Sequence, residues 1–379
     1  IIEINKKIYN FDPKKTYPTF SVEGWYERGK KISLKHFDEI YKKLGTRFDY
    51  FIFESQVADL GKKIVEKGLK DGIFEKSEGA VVFKGEKYGL HTRVFINSEG
   101  LPTYEAKDLG LAETKYKKYA YDQSVIVTGN EVNEYFKVML CAMKKVSPKL
   151  EEKTEHIGHG MMKLLGGNKI SSRRGNVITA EDILELTEKI VLEKIKGREL
   201  SDLEKKEITE KVVVGAIKYS ILKHSIGSDI IYDPIKSVSF EGDSGPYLQY
   251  SYTRAESVLR KAKDEGVKPS FKKVPDEISQ FEKSMSYFSE VVLQVEENYE
   301  PHYLVLYLTE LAGLFNNYYA KNKIVDKKDN TEGYAIIKYG FAACTKEWIF
   351  YTDGDAQYRL EEDLSKLAEK EVETNVDVV

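Results

Sequence analysis

Positive charge and hydroxyl groups are concentrated in one short stretch that follows two consecutive glycines. Lys169 is followed closely by Ser171, Ser172 and Arg173. Ammonium, guanidinium and backbone N–H groups all bind phosphate oxygens, most readily beside a helix start. Thr179 is predicted to cap the helix that follows. The stretch therefore predicts a polyphosphate-binding loop, and a solvated surface turn is the alternative for this pattern alone.

A phenol and a carboxylate are predicted to share one face of another helix. Thr103 is expected to cap this helix, and Tyr104 and Asp108 lie four residues apart on it. A carboxylate next to a phenol suits a guanidinium, because the carboxylate accepts paired N–H bonds. Without further context, a surface Tyr–Asp pair is the simpler interpretation.

The elements around these residues predict an α/β protein. Ser124–Thr128 is predicted to be a short buried strand, and Gly129 and Asn130 lead into a helix over 131–144. A strand, a glycine turn and a helix are what a doubly wound sheet requires at its ligand-binding edge. Further strands are predicted at 47–53, 81–84 and 93–97, and further helices at 33–43, capped by Ser33, at 56–68, ended by Gly68, and at 204–224.

From Tyr247 onward the pattern is helical. Within residues 301–323, apolar side chains recur at three- and four-residue steps, which predicts a helix with one face in a core. These side chains are Leu304, Leu308, Leu311, Phe315 and Tyr318. Most of the tyrosines in this region are expected to pack inside a bundle, and exposed ones could stack on unpaired RNA bases.

Composition sets the class of protein. The 379 residues carry a formal charge of −3, with 32% charged and 41% hydrophobic residues, which is typical of a soluble globular chain. Any RNA contact must therefore come from local basic faces rather than from an overall positive charge. Two cysteines, no membrane-length apolar run and no signal peptide predict a reduced, cytoplasmic protein.

Two motifs resemble those of arginyl-tRNA synthetases, a family of class I enzymes. The K-I-S-S-R stretch resembles the family's lysine–serine signature loop, and F-E-G-D-S-G-P-Y-L-Q-Y, from Phe240 to Tyr250, resembles the helix that enters its anticodon-binding bundle. The resemblance covers roughly residues 1–328. It implies a partial Rossmann-type catalytic domain in 1–225, with its signature loop at 169–173, and a truncated α-helical anticodon-binding domain in 226–329.

The resemblance implies an arginine–tRNA ligase that uses ATP with Mg²⁺ and has L-arginine and tRNA(Arg) as its partners. Basic groups in the loop would stabilise charge that develops on the phosphates. The corresponding residues are Lys169, Ser171, Ser172 and Arg173 in the catalytic loop, Tyr104 and Asp108 around the arginine side chain, and His159, Gly160 and Met161 beside ATP.

Two features depart from the family pattern. Val132 occupies the position of a glutamine that contacts arginine, and valine forms no side-chain hydrogen bond. The other class I signature, H-I-G-H, occurs at His156–His159, just before Lys169 rather than in the first strand-to-helix turn of the domain. We interpret it as a coincidental match. The first Rossmann unit and the N-terminal tRNA-binding module are therefore expected to be missing, and a partner could supply them.

Residues 330–379 resemble a different family. A predicted strand at 347–351 is followed by Asp353 and Asp355, as in the D-x-D segment of family 2 glycosyltransferases. There the two aspartates hold Mg²⁺ or Mn²⁺ against the diphosphate of a nucleotide-sugar. Arg359 stands where an acidic residue is expected. About fifty residues cannot form that fold, so we favour a non-functional tail joined near Asn330 by an assembly or gene-model error.

Two other functions stay open. The first is a non-catalytic tRNA-binding remnant, which would bind tRNA with a steep salt dependence and catalyse no ATP–pyrophosphate exchange. The second is a glycosyltransferase fragment confined to the C-terminal segment. It would require nucleotide-sugar binding that depends on Asp353 and Asp355.

Overall fold

The computed structural model describes residues 2–9, 11–12, 15–165, 179–267 and 278–325. The helices are α1 (Ile2–Tyr9), α2 (Val22–Lys43), α3 (Glu54–Lys70), α4 (Tyr104–Lys118), α5 (Asn133–Val146), α6 (Pro148–Glu151), α7 (Ala180–Ile195), α8 (Asp202–Leu222), α9 (Pro234–Ser237), α10 (Gly245–Asp264), α11 (Gln280–Ser286), α12 (Phe288–Asn298) and α13 (His302–Lys321). The strands are β1 (Glu75–Ser77), β2 (Ala80–Phe83), β3 (Arg93–Ile96), β4 (Ser124–Gly129), β5 (Thr154–His159), β6 (Met162–Leu164) and β7 (Ile230–Tyr232).

The chain forms two compact units. The first comprises the described residues of Ile1–Ile32, Phe48–Met161 and Ile226–Asp229. The second comprises the described residues of Ser33–Arg47, Met162–Ser225 and Ile230–Val379. In the part of the chain that the structure describes, no helix combines the length and the apolar character needed to cross a membrane.

The first unit contains two sheets. Strands β1, β2 and β3 form an antiparallel meander, which confirms the predicted pairing around residues 81–97. Strands β4 and β5 pair in parallel, with α5 in the connection between them. Parallel neighbours joined through a helix are the repeating unit of doubly wound folds, as the sequence predicted. The core that these elements share includes Val65, Phe74, Phe83, Phe95 and Met139.

Helices α3 and α4 touch through glycines. A Cβ atom built on Gly61 would lie 1.9 Å from the carbonyl oxygen of Ala106, and one on Gly110 would lie 2.4 Å from that of Val57. Both distances are far below a van der Waals contact, so each position accepts only glycine while the backbones stay in place. This close approach sets the position of α4 in the first unit.

The second unit contains a capped helix and a short parallel sheet. Thr179 caps α7: its hydroxyl accepts from the N–H of Asp182 at 3.2 Å, and the Asp182 carboxylate accepts from the N–H of Thr179 at 2.8 Å. This confirms the predicted cap and completes a capping box. Strands β6 and β7 pair in parallel, and Tyr232 is fully buried against α7 and α8.

Helices α10 to α13 also belong to the second unit. The predicted apolar stripe is confirmed, since Leu304, Leu308, Leu311 and Phe315 are all buried in one core. Ser244 caps α10 by accepting a hydrogen bond from the N–H of Tyr247 at 3.1 Å. The G-P-Y-L-Q-Y motif therefore forms the start of a helix, as expected.

Several local predictions were wrong. Residues 47–53 form no strand, because no described strand pairs with them. Ser33 lies inside α2 rather than at its start; Ser21 performs the capping role by accepting from the N–H of Gly24 at 3.0 Å. Gly68 lies inside α3, which continues to Lys70. Strand β4 is only partly buried, and the side chain of Val127 is 62% exposed.

We predict that Gly61→Ala lowers the free energy of unfolding by about 1–3 kcal/mol, the usual cost of overpacking. The added methyl group would collide with the Ala106 carbonyl of the facing helix. Urea denaturation measures this change.

The matched control is Gly29→Ala, which introduces the same methyl group into α2, where nothing lies within 4 Å of it. Alanine has the higher helix propensity, so this variant should gain roughly 0.5–1 kcal/mol. Equal effects of the two substitutions would contradict the proposed role of the glycine contact.

Candidate functional site

The structure describes some of the predicted site residues and not others. Tyr104 and Asp108 lie on α4, and His159, Gly160 and Met161 lie at the end of β5 and directly after it. All five belong to the first unit. The others lie outside the described residues: Lys169, Ser171, Ser172, Arg173, Asp353 and Asp355.

The start of α4 is attached to the antiparallel sheet. Thr103 occupies the predicted N-cap position, but its side chain accepts no hydrogen bond from the helix. Its hydroxyl instead donates to the carbonyl oxygens of Val94, at 2.7 Å, and Phe95, at 3.1 Å. Because Thr103 is hydrogen-bonded to β3, the first turn of α4 is attached to the sheet at a fixed position.

Tyr104 presents an accessible ring on the first turn of α4. Its side chain is 65% exposed. The ammonium group of Lys107 lies 5.1 Å from the ring centroid and also pairs with Glu54 at 2.6 Å. The tyrosine ring can therefore contact a ligand without prior rearrangement of the core.

Asp108 is half-buried one turn further along the same face, and the hydroxyl of Tyr135 donates a hydrogen bond to its Oδ2 atom. Burial raises the pKa of Asp108, the hydrogen bond from Tyr135 opposes that rise, and Glu105 adds to it. No described Lys or Arg side chain forms an ion pair with this carboxylate. Since buried charges in proteins are usually paired, Asp108 is suited to a cation that arrives as a ligand.

Lys115 supplies weaker positive charge near Asp108. Its ammonium group donates to the Ser124 hydroxyl at 2.7 Å. Burial lowers the pKa of Lys115, and the carboxylate of Asp108 opposes that shift. The lysine thus balances part of the buried negative charge without occupying the carboxylate directly.

Three residues beside Asp108 were missed by the sequence reasoning: Arg93, Glu105 and Tyr135. The guanidinium of Arg93 donates to the buried Glu105 carboxylate at 3.1 Å and lies 5.2 Å from the Tyr135 ring centroid. The Nε atom of Arg93 is buried without a hydrogen-bond partner among the described residues. No short-range spacing joins these residues, which come from β3, α4 and α5.

Val132 lies in the 3-10 turn Asn130–Val132 that precedes α5. Its side chain packs against the core of the first unit. At the position expected to carry a hydrogen-bonding glutamine, the protein therefore has an apolar side chain that contacts other apolar side chains.

The H-I-G-H sequence lies on a strand. His156 stacks on Phe136, with ring centroids 3.8 Å apart and planes 9° from parallel, and hydrogen-bonds to the Thr128 hydroxyl at 2.7 Å. Burial lowers the pKa of His156. A strand paired along β4 differs from the strand-to-helix turn that the class I signature occupies, so His156 supports the packing of α5 against the sheet.

The segment after β5 is held against residues 226–229. The imidazole of His159 donates through Nδ1 to the carbonyl of Gly160 at 2.8 Å. A Cβ atom on Gly160 would lie 1.9 Å from the carbonyl oxygen of Ser228. The N–H of Met161 donates to the Asp229 carboxylate at 3.0 Å.

This segment follows the carboxyl end of the parallel pair β4–β5, where ligands bind in open α/β sheets. Among the described residues, no group of three or more His, Cys, Asp or Glu side chains is placed to hold a metal ion.

Residues 19–233 match the family model described as tRNA synthetases class I (R), catalytic domain. The chain belongs to this family. Residues 248–338 match the model of the DALR anticodon binding domain. Class I synthetase architecture therefore accounts for both the parallel strands of the first unit and the helices α10 to α13.

Curated relatives of this chain are named arginine–tRNA ligase, and two of them come from Clostridium perfringens and Lactobacillus acidophilus. The one from Clostridium perfringens is 32% identical over 308 residues, covering 80% of this chain and 54% of the relative. The one from Lactobacillus acidophilus is 32% identical over 328 residues, covering 86% of this chain and 57% of the relative. The chain thus spans about half the length of the curated relatives it matches.

Solved structures show the same fold. The arginyl-tRNA synthetase of Thermus thermophilus aligns with a TM-score of 0.65 and 22% identity, covering 87% of this chain and 62% of that one. A structure titled as an arginyl tRNA synthetase from Campylobacter jejuni aligns with a TM-score of 0.66 and 18% identity, covering 93% of this chain and 73% of that one. Nothing in these comparisons supports the glycosyltransferase interpretation of residues 330–379.

We predict that Gly160→Ala speeds amide hydrogen exchange at Met161. The added Cβ would force the backbone away from Ser228 and break the bond between the Met161 N–H and Asp229. Overpacking of about 1–3 kcal/mol corresponds to an increase in local opening of roughly five- to 160-fold. Exchange followed by NMR or mass spectrometry measures this.

Gly129→Ala is the control for this substitution. The atoms nearest to its new Cβ belong to the carboxylate of Glu131, at the flexible end of a side chain that can move aside. Exchange at Met161 should be unchanged there. Unchanged exchange in Gly160→Ala as well would show that the backbone contact is unimportant.

Proposed function

We propose that this chain is the arginine-recognising part of an arginine–tRNA ligase. The observation that carries the proposal is the half-buried Asp108 carboxylate, which lacks a cationic partner among the described residues and shares a helix face with the exposed Tyr104 ring. A guanidinium is a cation that can lie against the ring and donate two parallel hydrogen bonds to the carboxylate. The curated relatives are named for this amino acid.

The proposed reaction has two steps. A carboxylate oxygen of L-arginine attacks the α-phosphorus of ATP, and the bond to the departing pyrophosphate breaks to leave arginyl-adenylate. A ribose hydroxyl of the terminal adenosine of tRNA(Arg) then attacks the arginyl carbonyl and releases AMP. Lys169 and Arg173 would stabilise the charge on the phosphates, with Ser171 and Ser172 shaping the loop.

ATP would bind along the segment after β5. Gly160 has no side chain and packs closely against the backbone of Ser228. The hydrogen bond from the Met161 N–H to Asp229 fixes the backbone conformation of the segment. We therefore assign His159, Gly160 and Met161 to the nucleotide. Mg²⁺ in nucleotide sites is held mainly by phosphate oxygens and one or two carboxylates, so it would arrive with ATP and need no cluster of its own.

The helices α10 and α13 offer a surface for unpaired tRNA bases. The guanidinium of Arg254 lies 4.5 Å from the ring centroid of Tyr250 and 4.8 Å from that of Tyr319. Asn316 orients this guanidinium by accepting from it at 2.6 Å, and both rings are about two-fifths exposed. Exposed rings beside a fixed cation stack on bases of any sequence.

We propose the domain organisation that the sequence motifs predicted. Residues 1–225 would carry the catalytic part, residues 226–329 the anticodon-binding part, and the protein would act in the cytoplasm. A non-catalytic tRNA-binding remnant is the second candidate. The observation that favours it is the pair of exposed rings, Tyr250 and Tyr319, beside the Arg254 guanidinium, because this surface could bind RNA without any catalytic step.

We predict that the full chain binds L-arginine and rejects L-citrulline, which has the same shape but no charge. A site that pairs a buried carboxylate with a cation discriminates strongly, because the carboxylate is otherwise left unpaired. Asp108→Asn should weaken arginine binding by about a hundredfold, given roughly 1.5–3 kcal/mol for each hydrogen bond to a charged group. Isothermal titration calorimetry measures both ligands.

Asp59→Asn is the control, because Asp59 is an exposed carboxylate on α3 in the same unit. Its arginine affinity should match that of the unmodified chain. Equal affinity for arginine and citrulline would show that Asp108 does not read the guanidinium. Binding of tRNA without any arginine binding would favour the non-catalytic candidate.

We predict that Tyr319→Ala weakens the binding of tRNA(Arg) about tenfold at low salt, since stacking contributes roughly 1–3 kcal/mol per base. The slope of affinity against salt concentration should not change, because no charge is removed. Filter binding over a salt series tests both statements. Tyr287→Ala removes another exposed ring from the second unit and should leave affinity intact; equal losses would argue against a specific stacking surface.

A further inference from the structure

One hydrogen bond joins the proposed arginine-binding carboxylate to a residue with no assigned role. Asp108 lies in the second turn of α4, and Tyr135 lies in the first turn of α5. The Tyr135 hydroxyl donates to Asp108 Oδ2. Tyr135 also makes an edge-to-face contact with Phe136, at 5.0 Å between centroids, and packs against the core of the first unit. The donor is therefore held by its own packing.

The charged groups around this pair come from three elements. On α4, Glu105 opposes ionisation of Asp108 and Lys115 favours it. On α3, Glu54 opposes it, and on β3 the Arg93 guanidinium lies beside the Tyr135 ring. Tyr135 itself has a pKa raised by burial and by the adjacent Asp108 carboxylate, so its hydroxyl keeps its proton and acts as a donor.

We propose that Tyr135 is a positioning residue that holds the Asp108 carboxylate ionised and correctly turned for the guanidinium of L-arginine. This inference rests on the proposed function. A carboxylate accepts about four hydrogen bonds, so one bond to Oδ2 leaves Oδ1 and a second lone pair of Oδ2 for the ligand. The χ2 torsion angle of aspartate otherwise has a broad distribution, and a hydrogen-bond donor held in one place restricts that angle.

Tyr135 also supplies hydrogen bonding that a neighbouring position lacks. Val132, three residues earlier, has no polar side-chain atom and packs in the core. Residues three apart at the start of a helix lie on the same side of it. The Tyr135 hydroxyl is thus a polar group on this side of the site. It acts on arginine through Asp108 rather than by direct contact.

The proposal has a pH-dependent consequence. Burial raises the pKa of Asp108 and the Tyr135 hydrogen bond opposes that rise, so removal of the hydroxyl raises the pKa further. Asp108 binds a guanidinium only when it is ionised. As pH falls, the variant therefore loses its ionised carboxylate, and with it arginine binding, at a higher pH than the unmodified chain does.

The test is Tyr135→Phe in the full chain, which keeps the buried ring and removes only the hydroxyl. Calorimetry with L-arginine across the acidic and neutral range should show about tenfold weaker binding at neutral pH, and a greater deficit as pH falls. NMR titration of the Asp108 carboxyl carbon should show a higher pKa in the variant. Tyr88→Phe, on the half-exposed ring stacked against Phe83, is the matched control and should change neither quantity.

The outcomes separate the two proposals. Unchanged arginine affinity together with an unchanged Asp108 titration would overturn the role of Tyr135. Weaker binding by the same factor at every pH, with Asp108 titrating as before, would also overturn it, because a general loss of packing explains that result. If the unmodified chain binds no arginine at any pH, the proposed function fails, while the carboxyl titration still decides whether Tyr135 controls Asp108.

Discussion

The close approach of α3 and α4 at Gly61 and Gly110 is the contact on which the candidate site depends. Ala106 and Gly110 face α3, and Tyr104 and Asp108 lie two residues before each of them, close to the opposite side of the helix. Any movement of α4 away from α3 would therefore move the tyrosine ring and the carboxylate together. Thr103 adds a second anchor where β3 holds the first turn. These two contacts thus fix the positions of the Tyr104 ring and the Asp108 carboxylate.

The electrostatics of the site follow from partial burial. Asp108 receives a hydrogen bond from a neutral phenol, while Arg93, the nearest guanidinium in this cluster, is occupied by Glu105. Glu105 is therefore paired within the protein, whereas Asp108 forms no ion pair among the described residues, which suits the proposed cationic ligand. Burial makes the carboxylate costly to ionise alone, and that cost increases its preference for a cation over an uncharged analogue of the same shape. The same carboxylate can thus account both for the proposed binding of arginine and for the proposed rejection of an uncharged analogue.

The sequence predicted those features that depend on neighbours along the chain. The four-residue spacing of Tyr104 and Asp108, the Thr179 cap and the stripe from Leu304 to Phe315 all reflect helical periodicity, and the structure confirms each as local geometry. It misassigned residues 47–53, because aromatic content favours a strand but only a neighbouring strand can complete one. It placed a helix start at Ser33, because a serine suited to capping looks the same when a helix begun upstream runs through it.

What the sequence determined by itself was the class I synthetase family and the placing of Tyr104 and Asp108 on one helix, because motifs and periodicity are properties of consecutive residues. Only the tertiary structure revealed that Tyr135 holds Asp108 and that Arg93 pairs with Glu105. The two residues of each pair lie on different elements, 27 and 12 residues apart. Hydrogen bonds and ion pairs act over a few ångströms in space, so distance along the chain carries no signal of them until the elements have packed.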